Sequence, residues 1–406
     1  MSGKKIILYF LLLIFFFKSL KLKYKDANYK IEIIIDRYNN KFKGKKISVK
    51  NIEDNLMTYI LYAKSIKESK INEIINFQSF DSPKTSFIIP IFNKENYLRS
   101  FITSIQMQDL KEIEIIFVND FSDDKSVNII NDFIKIDKRI KLINNKKNMG
   151  SLYSRAIGAN TAKANYIIFF DPDDIILKEG ILKAYNHIIK YKLDIVQFLS
   201  IIQRNDFVET SQYFFNYKNI IKQPILSYIF YYYKKSGVEN NMILWDKLVK
   251  KQVVLKSLNF IGEKFIQSRI VIENDLILLF SIFTIGESYQ FIEFPGYYYF
   301  AKNKDSITNT RYNPKKSNEI IRSILMNIQF LYEKTNNTIL DKLFSAFKFK
   351  QMFHRYKYNL KKANKQFGYL KNLFNIFFDS KFITNKDKSD LFRLYLTIFN
   401  IDGSKK

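Results

Sequence analysis

The sequence predicts an α/β fold in which helices flank a mostly parallel sheet. Short apolar runs alternate with helical patterns between residues 85 and 182, and strands that alternate with helices of this length indicate βαβ units. The run Tyr166–Phe170 is apolar throughout, as is typical of a strand buried on both faces. It leads directly into Asp171, Asp173 and Asp174. Because open α/β sheets bind ligands at the carboxyl ends of their strands, these carboxylates mark a candidate cation site for Mg²⁺ or Mn²⁺.

Three further strands are predicted before that run, and a helix is predicted after each. The predicted strands are Ser86–Pro90, Ile113–Asn119 and Ile140–Asn144, and the predicted helices are Tyr97–Gln108, Ser126–Ile136 and Leu152–Thr161. Pro172 ends the fourth strand because it has no N–H to donate. The pattern loosens after Ile195, and the region 317–400 is predicted to be mainly helical.

The net charge of +27 raises the question of nucleic-acid binding. The lysines are spread along the whole chain, however, and no zinc-finger, RNA-recognition or helix-turn-helix pattern is present. The enriched residue types, Lys, Asn, Ile, Phe and Tyr, share A/T-rich codons, so genome composition offers a simpler explanation. We therefore expect no nucleic-acid partner.

The chain contains no cysteine, which excludes disulfides, thiolate catalysis and cysteine-ligated metals. Only two histidines are present, His187 and His354, each in a helical stretch rich in Lys and Tyr that is typical of a surface. A general base is therefore expected to be a carboxylate.

The N-terminus carries an unbroken apolar run, Ile6–Phe17, with lysines on both sides. As a helix it would span about 18 Å, less than the ~30 Å hydrocarbon core, unless Lys18 and Lys21 extend towards the interface. No small-residue cleavage site follows it, so a short signal anchor is preferred and a cleaved signal peptide is the alternative. We expect a single-pass membrane protein of the Golgi or ER, or a secreted protein if the segment is cleaved.

Polar motifs follow the first two predicted strands. The first strand ends in Ile-Pro-Ile-Phe-Asn-Lys-Glu at 89–95 and the second in Val-Asn-Asp-Phe-Ser-Asp-Asp at 118–124. Both endings fall on the same crevice edge as the aspartates after the fourth strand. Asp120 is placed to accept a hydrogen bond from a nucleobase, whereas Ser122 and Asp123 are expected to cap the next helix.

A further motif precedes the third helix. Gly150 permits a tight turn, and Arg155 lies in the first turns of the helix that follows. An arginine at this position can neutralise a diphosphate, brace the acidic cluster or form a surface salt bridge.

The order of these motifs, over about residues 85–182, resembles the family 2 glycosyltransferases, which have a GT-A fold. Later segments resemble the same family: Leu-Trp-Asp-Lys-Leu at 244–248, Glu-Asn-Asp-Leu at 273–276 and Tyr-Tyr-Tyr at 297–299. The chain departs from the family at Asn119, Phe92 and Asn274, where Asp, Tyr and Glu are usual. It lacks the Gln/Arg-x-x-Arg-Trp motif, so a processive polysaccharide synthase is not expected.

The resemblance implies a role for each matching residue. Asp173 would bind the divalent cation, Asp171 would lie near the ribose or the metal, and Asp275 would be the catalytic base, with Glu273 as the alternative. The residues implied to bind the nucleotide-sugar are Pro90, Phe92, Asn93, Glu95, Asp120, Arg155 and Asp171. The donor would be a nucleotide-sugar and the acceptor a glycan, lipid or protein.

The domain prediction follows from the same motifs. We expect an anchor or signal peptide at 1–22 and a partly helical stem at 23–83. The glycosyltransferase domain is expected at 84–310, with its nucleotide-sugar half at 84–182 and its acceptor half at 183–310, and a helical region at 311–406.

Three functions are consistent with this sequence. The first is an inverting, metal-dependent glycosyltransferase. The second is a sugar-phosphate nucleotidyltransferase, although residues 90–95 lack the Gly-rich phosphate loop it would need. The third is an inactive glycan-binding or scaffold protein of the same fold, suggested by Asn119 and Asn274.

Overall fold

The computed structural model describes residues 77–204, 207–210, 220–223, 225–226, 229, 243–300 and 317–334. The predicted anchor, the stem helix and the helical region beyond residue 334 lie outside these residues. No described helix combines the length and apolar character needed to cross a bilayer.

The described residues form ten strands and eight helices. The strands are β1 Thr85–Ile91, β2 Ile113–Asn119, β3 Ile140–Asn144, β4 Tyr166–Phe169, β5 Ile175–Ile176, β6 Ile195–Arg204, β7 Phe207–Thr210, β8 Ile221–Lys222, β9 Lys247–Lys250 and β10 Ser288–Phe300. The helices are α1 Glu95–Gln106, α2 Ser126–Ile136, α3 Ser151–Thr161, α4 Gly180–Tyr191, α5 Lys251–Ile261, α6 Glu263–Ile266, α7 Asn274–Ile285 and α8 Ser317–Lys334.

All ten described strands belong to one sheet. Its central order is β3-β2-β1-β4-β9-β6-β10-β5, with β7 beside β6 and β8 beside β10. The strands β3, β2, β1 and β4 are parallel, as are β6 and β10, so most of the ladder is parallel. The strand β9 runs antiparallel between β4 and β6 and joins these two parallel groups. The predicted α/β class with a mostly parallel sheet is confirmed.

The sheet has a helical layer on each face because alternate residues of each strand point to opposite faces. In β1, Ile88 belongs to the core cluster that includes residues of α3, α5, α7 and α8, whereas Phe87 and Ile89 belong to the cluster that includes residues of α1, α2 and α4. Strands β1 and β2 are buried at every position, which explains why their sequences are apolar without alternation.

The predicted elements agree closely with those observed. The strands at 113–119 and 140–144 and the helix at 126–136 have the predicted bounds, and α1 begins and ends two residues earlier than predicted. The fourth strand ends at Phe169, and one further bond, from Phe170 N to Ile88 O, continues its ladder before Pro172.

Pro90 lies inside β1, a position at which proline usually breaks a ladder. The β1–β4 register stops at Ile88 and Phe169. The carbonyl oxygen of Ile91 faces β2, where it accepts a hydrogen bond from Asp120 N. Because neighbouring residues of a strand direct their backbone groups to opposite sides, the N of Pro90 faces the side of β4. On that side β4 has already ended. The missing N–H therefore costs no ladder bond, and Pro90 is a buried element of the strand.

Candidate active site at the carboxyl edge of the sheet

The carboxyl ends of β1, β2 and β4 meet the N-terminus of α7 at one edge of the sheet. Arg155, on α3, makes the connection between them. Its NH1 donates to Asn274 Oδ1 at 2.6 Å and to Asp275 Oδ1 at 2.7 Å, and its NH2 donates to Asp171 Oδ1 at 3.0 Å. Asp171, after β4, and Asp275, in the first turn of α7, are far apart in sequence. Both accept hydrogen bonds from the guanidinium of Arg155.

Arg155 is 4% exposed. Burial acts to lower the pKa of Arg155, but the negative charges of Asp275 and Asp171 outweigh it and hold the pKa above its ordinary value. Of the three roles expected for this residue, the structure therefore supports bracing of the acidic cluster. A surface salt bridge is excluded by its burial.

Asp171 lies near two other carboxylates, those of Asp173 and Asp275. Burial raises the pKa of its carboxyl to about 6 against the opposing effect of Arg155, and the charges of Asp275 and Asp173 add to the rise. Its side chain keeps 34% of its surface exposed, so a ligand can reach it. Asp173 pairs with Lys94, whose Nζ lies 2.8 Å from Asp173 Oδ2.

The side chains at this edge can be compared with the ligands that the expected divalent cation prefers. Among the described residues, no group of three or more metal-ligating side chains gathers. Mg²⁺ usually binds proteins through only one or two carboxylates and completes its shell with water and substrate phosphates. Asp171 and Asp173 supply such a pair of neighbouring carboxylates. The donor set fits a cation shared with a diphosphate.

Asp120 is buried at the end of β2 and holds the turn that precedes α3. Its Oδ1 accepts hydrogen bonds from Met149 N and from Asn145 Nδ2, both at 2.8 Å. Its Oδ2 accepts a hydrogen bond from Gly150 N at 2.7 Å. Gly150 has φ +88°, a conformation that strains residues with a Cβ, and a Cβ there would also make a tight contact of 3.3 Å with Ile270 O. The structure gives Asp120 an anchoring role; base recognition stays a prediction.

The departure from the family pattern at Asn119 has a local explanation. Asn119 Nδ2 donates to Asn144 Oδ1 at 2.9 Å, and its Oδ1 accepts Ser122 N at 3.0 Å. Both polar atoms of the Asn119 amide are therefore bonded, and the residue holds the turn after β2 together.

The loops after β1 and β2 bind each other through side chains. Asn93 N donates to Ser122 Oγ and Asp123 N donates to Asn93 Oδ1. Glu95 Oε2 accepts Lys125 N, and Glu95 N donates to Asp124 Oδ2. The expectation that Ser122 and Asp123 cap the next helix is wrong, because α2 has no side-chain cap hydrogen bond and Ser122 and Asp123 instead join the loop after β1.

Two aromatic side chains stand exposed on these loops. Phe92 is 45% exposed after β1, and Phe121 is 57% exposed after β2. Phe121 has φ +69°, in the left-handed region that disfavours residues with a Cβ. Strained backbone of this kind persists where the surroundings hold it and is frequent at functional sites.

Replacement of Phe121 by glycine is expected to stabilise the protein by roughly 0.5–1 kcal/mol, because relief of the left-handed strain exceeds the added entropy of the unfolded chain. Thermal unfolding should therefore shift upward by about 1–3 °C. Phe92→Gly is the matched control: Phe92 is also an exposed aromatic, but its φ is not positive. A Phe121→Gly midpoint no higher than that of Phe92→Gly would contradict the strain assignment.

Asp174 is a buried member of the loop after β4. Its Oδ2 accepts Tyr297 OH at 2.8 Å, and its Oδ1 accepts Phe300 N at 2.9 Å. Burial, reinforced by Asp173, raises the pKa of Asp174 well above its ordinary value. Asp174 does not cap a helix, because β10 supplies both of its donors and α4 begins only at Gly180.

Tyr297, which donates to Asp174 of this loop, belongs to a group of stacked aromatic rings. The Tyr297 ring stacks on Phe170 at 5.7 Å and on Trp245 at 4.4 Å, and Trp245 also stacks on Tyr299 at 5.5 Å. The nearby Lys247 is buried and donates to Asp246 at 2.6 Å. The segments at 244–248 and 297–299 therefore pack together, and the hydroxyl of Tyr297 connects them to the acidic loop through Asp174.

The predicted base candidates occupy the first turn and the N-cap of α7. Asp275 is 24% exposed, and only its Oδ1 accepts a hydrogen bond from Arg155. Glu273 is the N-cap and has φ +53°. Sequence reasoning did not select Lys94 or Asn274 as site residues, although both lie inside quoted motifs; their contacts with Asp173 and Arg155 are visible only in the fold.

The mostly parallel α/β sheet flanked by helices has the architecture of the GT-A fold. Residues 86–247 match the family model described as "Glycosyl transferase family 2". Over these residues the chain is similar to a family 2 glycosyltransferase domain.

Individual relatives agree with this assignment. An uncharacterized glycosyltransferase of Haemophilus influenzae is 40% identical over 111 residues, covering 27% of this chain and 44% of that protein. A cholesterol galactosyltransferase of Borreliella burgdorferi is 29% identical over 225 residues, covering 53% and 59%. The chain spans less than two thirds of the length of the curated relatives it matches.

A solved structure has the same fold. The S. aureus TarS fragment 1–349 in complex with UDP superposes with a TM-score of 0.53 at 15% identity, covering 78% of this chain and 88% of that one. The same fragment has been solved with UDP-GlcNAc, with a TM-score of 0.53. At this identity the likeness is one of fold.

Proposed function

We propose that this protein transfers a sugar from a nucleotide-diphosphate-sugar to an acceptor hydroxyl by metal-dependent, inverting displacement. The observation that carries the proposal is the Arg155 bridge, which holds Asp275 and Asp171 in one cluster at the ligand edge of the sheet. A base and a donor-side carboxylate must lie close together for such a transfer. The family 2 domain supports the same reaction class.

Asp275 is assigned as the general base. Its Oδ1 is engaged by Arg155, while its Oδ2 accepts no hydrogen bond from the described residues and the side chain is partly exposed. The free oxygen takes the proton of the acceptor hydroxyl as that hydroxyl attacks the anomeric carbon. A single displacement inverts the anomeric centre, and the nucleoside diphosphate leaves.

Asp173 and Asp171 are assigned to the donor's diphosphate. A divalent cation bound by these carboxylates would neutralise the charge that develops on the leaving diphosphate. Lys94, held beside Asp173, adds a positive charge at the same place. Exposed Phe92 offers a flat apolar surface beside the site for a nucleobase.

The donor proposed first is a UDP-sugar, because the fold neighbour was solved with UDP and UDP-GlcNAc. The acceptor is proposed to be a glycan, lipid or protein hydroxyl. The galactosyltransferase relative acts on cholesterol by its name, so a sterol belongs in the acceptor panel.

The test is a panel of UDP-sugars with Mn²⁺ or Mg²⁺, with and without acceptors, in which released UDP is measured. We expect UDP release to require the cation. We also expect UDP release to fall at least about 100-fold in Asp173→Ala, because the substitution removes an assigned metal ligand. Asp132→Ala is the control, because Asp132 is an exposed aspartate on α2 that pairs only with Lys135.

Two outcomes would overturn parts of the proposal. Equal UDP release by wild type and Asp173→Ala would remove the metal assignment. A wild-type chain that releases no nucleoside diphosphate from any nucleotide-sugar, but forms pyrophosphate from a nucleoside triphosphate and a sugar phosphate, would replace transfer by nucleotidyl transfer.

A further inference from the structure

Arg269 lies on the loop between α6 and α7, five residues before the N-terminus of α7. Its Nε donates to Asn148 Oδ1 at 2.9 Å, and its NH1 donates to Glu319 Oε1 at 2.6 Å. Asn148 belongs to the turn that Asp120 anchors before α3, whereas Glu319 lies in the first turn of α8. One side chain therefore joins the donor side of the site to a helix late in the chain.

The same loop receives two more hydrogen bonds from α8. Ser323 Oγ accepts Val271 N at 3.0 Å, and Asn327 Nδ2 donates to Ile272 O at 3.1 Å. Both side chains are fully buried. Glu319, Ser323 and Asn327 are spaced four residues apart and therefore lie on one face of α8. This face forms hydrogen bonds with the loop at three positions.

This loop is conformationally strained. Arg269 has φ +45° and Glu273 has φ +53°, and neither is glycine. Such backbone is kept only where neighbouring contacts hold it. The held loop ends at Asn274 and Asp275, the two residues that Arg155 binds.

We propose that Arg269 and the α8 residues Glu319, Ser323 and Asn327 position the Asp275 carboxylate for proton transfer and couple it to the turn at Asn148. The proposal rests on the proposed function. The predicted domain boundary places α8 in a separate helical region after residue 310. The proposal instead makes α8 part of the catalytic unit.

The decisive comparison is between two glutamates of α8. Glu319 binds Arg269 at 2.6 Å, and Glu333 binds Lys264 on α6, also at 2.6 Å. Both pairs are partly exposed and join the same helix to the segment 263–269, but only Glu319 reaches the loop that leads to Asp275. Glu319→Gln and Glu333→Gln therefore form a matched pair.

We expect Glu319→Gln to lower kcat about 10-fold with the donor KM changed less than about threefold, because misplacement of a reacting group by a fraction of an ångström slows chemistry more than binding. Glu333→Gln should keep both parameters. Hydrogen exchange supplies a readout without turnover: the amides of residues 270–276 should exchange faster in Glu319→Gln than in Glu333→Gln.

Wild-type activity separates this proposal from the proposed function. If the wild type releases no nucleoside diphosphate, the function fails, and unchanged exchange at 270–276 would overturn the positioning role as well. If the wild type is active and the two variants have equal kcat, the positioning role is overturned and the function stands. Should Glu319→Gln unfold at the assay temperature, Ser323→Ala, which removes the acceptor of Val271 N, decides by the same two readouts.

Discussion

Replacement of Arg155 by methionine is expected to destabilise the protein by about 2–4 kcal/mol and to lower turnover at least 100-fold. Methionine fills a similar space but leaves Asp171, Asn274 and Asp275 without their common donor. Removing one partner of a buried ion pair usually costs about 3–5 kcal/mol, and partial exposure of the two carboxylates reduces this because water can reach them.

The matched control is Arg139, which is also a buried arginine paired with an aspartate. Arg139 binds Asp137 through Nε at 2.9 Å and NH2 at 2.7 Å, and both side chains are fully buried. Arg139→Met should also lower the denaturation midpoint, but the folded enzyme should keep its kcat because the pair lies at the opposite ends of the strands, where β3 begins. Equal kcat in the folded fractions of both variants would contradict a role for Arg155 at the site.

The sequence was sufficient to place the strand ends and their aspartates. Strands β1, β2 and β4 are largely buried on both faces, so their sequences are mostly apolar and polar residues follow them. Asp120 directly follows β2, and Asp171 and Asp173 lie in the loop that follows β4. In a parallel sheet this alone brings them to one edge.

The partners of those aspartates could not be predicted in the same way. Lys94 and Asp173 are 79 positions apart, and Arg155 and Asp275 are 120 apart. Such contacts depend on how α1, α3 and α7 pack against the sheet, and periodicity specifies the buried face of a helix but not its neighbour across the site.

Local chemistry also changed the interpretation of short polar residues. Ser122 and Asp123 have the composition of helix caps, yet the Oγ of Ser122 accepts a hydrogen bond from Asn93 N, and the backbone N of Asp123 donates to Asn93 Oδ1 in the loop after β1. Asp174 has the same composition and instead receives Tyr297 and Phe300 from β10. A side chain that can cap a helix will equally accept any nearer donor that the tertiary fold provides.

Replacement of Asp275 by asparagine is expected to lower kcat about 10²–10⁴-fold while the protein remains folded, since general base catalysis contributes an effect of this size. Asparagine has the same shape and keeps an oxygen for Arg155 NH1, but it cannot take up the acceptor proton. The donor KM should change little, because the assigned donor contacts lie at Asp171 and Asp173. Steady-state kinetics with varied donor, together with thermal unfolding, measures both expectations.

Glu273→Gln provides the comparison that decides between the two base candidates. Glu273 is the N-cap of α7 and Asp275 its first acidic residue, so both lie at the same helix end, but only Asp275 is bound by Arg155. If Asp275 is the base, Glu273→Gln keeps turnover within a few-fold of wild type. Full activity in Asp275→Asn combined with loss in Glu273→Gln would transfer the role to Glu273, and Arg155 would then serve to neutralise Asp275 rather than to orient a base.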